Sequence, residues 1–154
     1  MLEDLWFLRA LVQVPLGALL FLGALWRGAA PERLLSGALF ACLSLLAIYN
    51  RLFARPDLFE SVDPIYLVLD VLLLVVIVGV ALRANRMFPL WMGGVQIAAL
   101  GSHLARITLP KLNPSAYAAM TQAPNYMHMA VLGLALAAHV HREKRAGGYP
   151  SWNS

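Results

Sequence analysis

The amino-acid sequence predicts an all-α integral membrane protein, a bundle of about five transmembrane helices joined by short loops. Three observations carry that prediction. First, 60% of the 154 residues are hydrophobic and only 13% are charged, roughly half the charged fraction of an ordinary soluble domain. Second, the stretch from Ile65 to Leu82 reads IYLVLDVLLLVVIVGVAL with one acid in it, and about 18 apolar residues suffice to cross a hydrocarbon core. Third, the charges gather in short connections, each holding a proline where a helix stops or restarts.

The first span runs from Leu5 to Trp26. Glu3 and Asp4 stand where a signal peptide would be basic, and no A-x-A-like site follows the apolar stretch, so a retained span is expected. After "RGAAPE" comes the second span, Leu34 to Phe53, and after "ARPDLFESVD" the third, Pro64 to Leu82. "RANRMFP" leads into the fourth, Met87 to Thr108. That link is short enough to make a tight hairpin, and four spans with one re-entrant segment is the alternative. "LPKLNPS" precedes the fifth, Ala116 to Val140, in a helix expected to end near Arg145. Residues 1–145 thus form one transmembrane domain, and "AGGYPSWNS", residues 146–154, reads as a polar coil.

The net charge of +4 follows topology. With the N-terminus outside, the inner segments hold Arg27, Arg33, Arg83, Arg86, Arg142, Lys144 and Arg145, and the outer ones Arg9, Arg51, Arg55, Arg106 and Lys111. That excess favours N-out and C-in, and arginines confined to connections are no footprint of a nucleic-acid partner. Size and composition match small multi-pass proteins of bacterial inner membranes, which sets the expected localisation. Cys42, the single cysteine, lies in an apolar run and allows no intrachain disulfide.

The beginnings of spans one, three and five and the ends of two and four share one side. Arg9, Gln13, Asn50, Asp63, Asp70, His103, Arg106, Asn125 and His128 all fall there, whereas the opposite leaflet offers only terminal arginines and Ser36. In span four, Gln96, His103 and Arg106 form one stripe, and Gly94, Ala98, Gly101 and Ala105 another, suited to close helix packing. Span five pairs a polar stripe of Thr121, Asn125 and His128 with small Ala130, Gly133 and Ala137; span three adds Asp63, Tyr66 and Asp70. Leucine at Gly101 or Gly133 is therefore expected to disrupt the bundle. Asp70 lies about 10 Å below the start of its span. An unpaired carboxylate there costs roughly 2.5 to 3.5 kcal/mol on insertion scales, so Arg9 or His128 is the expected partner.

Two histidines on adjacent spans suit the axial ligands of a haem, or the magnesium of a chlorophyll-type pigment, so His103 and His128 are the candidate cofactor residues. The plainer reading has each one hydrogen-bonding a neighbouring helix. Asp70 beside a histidine could serve a small proton-coupled carrier, although no repeat or broken helix accompanies it. His139 and His141, before Arg142, Lys144 and Arg145, read as an interfacial basic cluster with Glu143 elsewhere on the helix, and no metal site is expected. Met87, Met92, Met120, Met127 and Met129 read as packing, and Trp26, Trp91, Tyr49, Tyr66 and Tyr117 as aromatic belts. No GxSxG, HExxH, phosphate loop or CxxC occurs, so no enzyme is expected. The leading expectation is a non-catalytic accessory subunit of an inner-membrane complex, partnered by lipid and by other membrane proteins or further copies of itself. The pigment or haem protein and the Asp70 carrier are its alternatives.

Overall fold

The computed structural model describes residues 2–53, 61–109 and 111–146, with side chains from Ala10 to Arg145. Arg9 and nearly all of the 146–154 tail therefore lie outside the described side chains. Five helices make up the described chain: α1 (Leu2–Arg27), α2 (Ala30–Leu52), α3 (Pro64–Ala81), α4 (Phe88–Thr108) and α5 (Pro114–Ala146). The connection between α3 and α4 is a tight turn, and Ala84 N–H donates to Val80 C=O at 2.8 Å within it.

The boundaries follow from local chemistry. Proline has no N–H to leave unsatisfied in a first helical turn, and Pro31, Pro64, Pro89 and Pro114 all stand there. Asp63 caps α3 by accepting from Ile65 N–H at 2.9 Å, and Asn113 caps α5 by accepting from Ser115 N–H at 2.8 Å. Three helices start earlier than the expected spans, α1 at Leu2, α2 at Ala30 and α5 at Pro114, the last two because Pro31 and Pro114 fall inside the first turn instead of before it.

Helices α2 to α5 close into a four-helix ring, since α2 touches α5 as well as α3, and α4 touches both α3 and α5. Neighbours in that ring are antiparallel, as short connections require. Leu35, Leu39 and Leu43 of α2 fill its centre with Leu73, Ile77 and Val80 of α3, Met92 of α4, and Met129 and Leu132 of α5. Helix α1 stands outside, in the groove between α2 and α5. It fits by small residues: the Cβ position of Gly37 lies 3.0 Å from the Phe21 ring, that of Gly17 3.2 Å from Leu43, and that of Gly23 3.2 Å from Leu136. Phe21 and Phe40 stack across the same seam at 6.0 Å.

The exterior is apolar and much of the interior is polar. Three helices carry stretches long and apolar enough to cross a membrane, Ala10–Arg27, Ala30–Leu52 and Pro64–Ala81, and only 17%, 28% and 22% of those stretches are buried. Gln13, Glu32, Gln96, Ser102, His103, Arg106, Gln122, His128 and His139 are instead buried. Polar side chains of α4 and of the first half of α5 are thus turned inward, while His141 to Arg145 at the end of α5 are exposed.

One expectation about packing is corrected. Gly94, Ala98 and Gly101 are exposed, and a Cβ at Gly94 or Gly101 would meet nothing within 4 Å. The stripe that packs on α4 is the polar one, because Gln96, His103 and Arg106 find donors and acceptors inside. On α5, Gly133 does face a neighbour, Leu20 at 3.8 Å, whereas Ala137 is exposed and Ala105 of α4 is partly buried. Gly37→Leu should therefore destabilise the purified protein by about 1–3 kcal/mol, through overpacking against Phe21, while Gly101→Leu leaves it unchanged. Thermal unfolding in detergent measures both, and equal melting temperatures would contradict the packing described.

Candidate functional site

The half of the bundle where α1, α3 and α5 begin is built around Asp70. Gln96 of α4 donates from Nε2 to its Oδ1 at 2.9 Å and to its backbone carbonyl at 3.0 Å. His103, two turns further along α4, meets its Oδ2 through Nε2 at 2.9 Å. The other ring nitrogen of His103, Nδ1, lies 2.6 Å from the hydroxyl of Tyr117 on α5. A carboxylate can only accept, so Nε2 carries the proton and Nδ1 accepts from the tyrosine O–H. The chain Tyr117–His103–Asp70 links three helices with every ring nitrogen occupied. His103 is 1% exposed, and the Asp70 side chain 23%.

Among the described residues the partners of Asp70 are Gln96 and His103; His128, one of the two expected, bonds Met92 instead, and Arg9, the other, lies outside the described side chains. Spacing explains it. Asp70 lies midway between two α4 residues seven apart, so that both donors reach it from one face of the neighbouring helix.

Other hydrogen bonds in this half join the remaining neighbours. Asn50 donates to the Tyr66 hydroxyl at 2.6 Å, and the Tyr49 hydroxyl donates to Asp63 at 3.0 Å, which ties α2 to α3. Gln13 donates to Gln122 at 3.1 Å, both buried, which ties α1 to α5. Arg106 is buried at the end of α4; it donates to Leu112 C=O across the connection and sets its guanidinium 5.7 Å from the Tyr117 ring centre. Asn125 is half-buried on α5.

The two candidate cofactor histidines do not meet. His103 is level with Tyr117, while His128 donates from Nε2 to Met92 C=O at 3.1 Å. Eleven residues separate the two levels on α4 and equally on α5, about 16 Å at 1.5 Å per residue. One metal centre cannot bridge that distance, so axial ligation by both is excluded. Grouping by half of the span hid the difference: His103 is five residues from the end of α4, and His128 fourteen from the start of α5. The Nδ1 of His128 is buried with no hydrogen-bond partner among the described residues.

A second polar cluster lies at the opposite end, where only terminal arginines and Ser36 were expected. Glu32, in the first turn of α2, pairs with Arg86 of the α3–α4 turn, with side-chain exposures of 1% and 5%. Arg86 also reaches His139 Nδ1 of α5 at 3.3 Å. Arg86 and His139 are thus not an interfacial charge and a headgroup histidine but buried partners, whereas His141 is exposed. Glu143 lies one turn beyond His139 and lines the same cleft, which corrects its placement elsewhere on the helix. An acid among basic connections was the available signal. Among the described residues no group of three His, Cys, Asp or Glu could hold a metal.

Removing the centre of the first cluster should loosen α3, α4 and α5 together. Asp70→Ala leaves two buried donors unpaired and should cost about 1–3 kcal/mol, and Tyr117→Phe about 1 kcal/mol. Because both act through His103, the double variant should differ from the sum of the singles by more than about 0.5 kcal/mol. Strict additivity in thermal unfolding would mean that the three groups do not act as one chain. The sequence matches no protein-family model, no curated protein and no solved structure.

Proposed function

We propose that the chain is a five-span integral membrane protein, oriented N-out and C-in in a bacterial inner membrane, that serves as a non-catalytic subunit of a larger assembly. The observation that carries this reading is the inversion of polarity: apolar side chains outside, hydrogen-bonded polar side chains inside. In water an apolar exterior of this extent would aggregate, whereas in lipid it is the required surface. The spacing of the two polar clusters supports it, since Tyr117 and His139 on α5 are 22 residues apart, about 33 Å along a helix and close to the thickness of a hydrocarbon core. The open small-residue face of α4, with Gly94, Ala98 and Gly101, suits a neighbouring transmembrane helix at close range. A hydrogen-bonded network around Asp70 that joins α3, α4 and α5 has a structural role without any substrate.

Affinity purification from native membranes in mild detergent tests this reading. Stoichiometric integral-membrane companions are expected, and Gly101→Leu should reduce their recovery without changing the melting temperature. A protein that arrives alone, with or without the leucine, overturns it.

A second reading rests on one specific observation, the unbroken chain Tyr117–His103–Asp70. A proton taken up at Nδ1 of an imidazole releases the proton on Nε2, so such a chain can pass a proton to the Asp70 carboxylate. In liposomes holding a pH-sensitive dye, the parent protein should then dissipate an imposed pH gradient faster than empty vesicles, and Asp70→Asn should abolish the excess. Equal rates for parent, variant and empty vesicles remove proton transfer from the account.

A further inference from the structure

At the end of the bundle holding Glu32 and Arg86, a cleft of about 260 Å³ opens between the end of α1, the start of α2 and the last turns of α5, lined by Trp26, Arg27, Gly28, Arg33, His139, Glu143 and Lys144. We propose that this cleft binds the phosphate group of an anionic lipid headgroup. It deepens the membrane reading and rests on it.

The charge balance around the cleft is the first argument. Arg27, Arg33 and Lys144 line it against the single carboxylate of Glu143, and behind its His139 wall Glu32 is neutralised by Arg86. The surplus is cationic, and it includes guanidinium groups, which bind phosphate oxygens in pairs. Arg33 is held in place by donating from Nε to Ala24 C=O at 3.3 Å, so this guanidinium is fixed across the α1–α2 connection.

Backbone polarity adds to it. Gly28 and Arg33 flank the start of α2, where Ala29 offers no side-chain cap to the first-turn N–H groups. The positive end of the α2 dipole thus stands at the cleft edge, an arrangement that attracts phosphate.

The surroundings identify a lipid as the source. Trp26 is 79% exposed beside the cleft, and the Arg27 guanidinium lies 5.0 Å from the centre of its ring. An exposed tryptophan next to stacked arginine, at the rim of an apolar helix surface, marks the headgroup level of a bilayer. With C-in orientation this rim faces the leaflet whose anionic lipids draw basic side chains. A phosphodiester set there by its acyl chains lies level with Arg33 and Lys144.

The test uses the full-length protein in a neutral detergent, incubated with phosphatidylglycerol or with phosphatidylcholine, and bound lipid is counted by native mass spectrometry. The parent should retain phosphatidylglycerol under activation that strips phosphatidylcholine. Arg33→Gln and Lys144→Gln should each lower that retention roughly fivefold, the worth of one basic side chain near an anionic surface, while Arg51→Gln at the opposite end changes nothing. Because Arg33 also holds Ala24, Arg27→Gln supplies the same test should Arg33→Gln fail to fold. Displacement of phosphatidylglycerol by millimolar inorganic phosphate would keep the anion chemistry and make free phosphate the occupant. Equal retention of the two lipids, or variants that bind like the parent, would overturn the proposal. Release of the protein from native membranes by alkaline carbonate would instead overturn the membrane reading, whatever the lipid counts show.

Discussion

A carboxylate taken out of water must be given donors, and Asp70 receives them from Gln96 and His103, one turn above and one below on the neighbouring helix. Much of the architecture follows from satisfying that group. Gln96 and His103 fix the rotation of α4 about its axis. His103 then has one nitrogen left, and Tyr117 fills it, which fixes the register of α5. With α4 turned so that its polar stripe faces inward, its glycine and alanine stripe has nowhere to go but out.

The two ends of the bundle use opposite devices. Around Asp70 most bonds are short-range links between side chains of consecutive helices, with one cationic guanidinium, Arg106, closing the connection. At the other end the ion pair of Glu32 with Arg86 ties a helix start to a turn, and Arg86 reaches on to His139 of α5. Between them the core is mainly leucine, isoleucine, valine and methionine, with His128 bonded to Met92 C=O among them. Buried ion pairs gain little net stability over an apolar core but are costly to break on one side, so the far end is held more by specificity than by depth of binding.

The helices were legible in the sequence because length and hydropathy are one-dimensional properties, and all five appear within a few residues of their expected limits. Polar stripes can be read too: offsets of seven and three put Gln96, His103 and Arg106 on one side of α4, and all three are buried. What a single sequence does not encode is the vertical register between helices. Leaflet assignment put His103 and His128 at one depth, and only the pairing of Tyr117 with His103 and of Met92 with His128 separates them. Which stripe turns inward was also undetermined, since small residues and hydrogen-bonding residues are both good interface formers, and here burying the polar groups prevails over close packing. Glu32 and Arg86 were hidden for a different reason. A charge in a connection reads as a topology signal, and nothing local says that it folds back under the next turn.

The placement of α1 has a consequence for how such a chain is made. Gln13 bonds to Gln122, a partner 109 residues later in the chain, and the groove that receives α1 has α5 as one of its walls. In a membrane-inserted chain, α1 is made before α5 and so finds its seat only once α5 is in place. Its amide waits in lipid, unpaired, through the synthesis of every other helix. Arg9 and Gln13, one turn apart near the start of the span, are its polar residues, and from Val14 to Trp26 it is apolar, which lets α1 rest in lipid through that wait. The apolar character of α1 is therefore matched to its time of arrival as much as to its final surroundings.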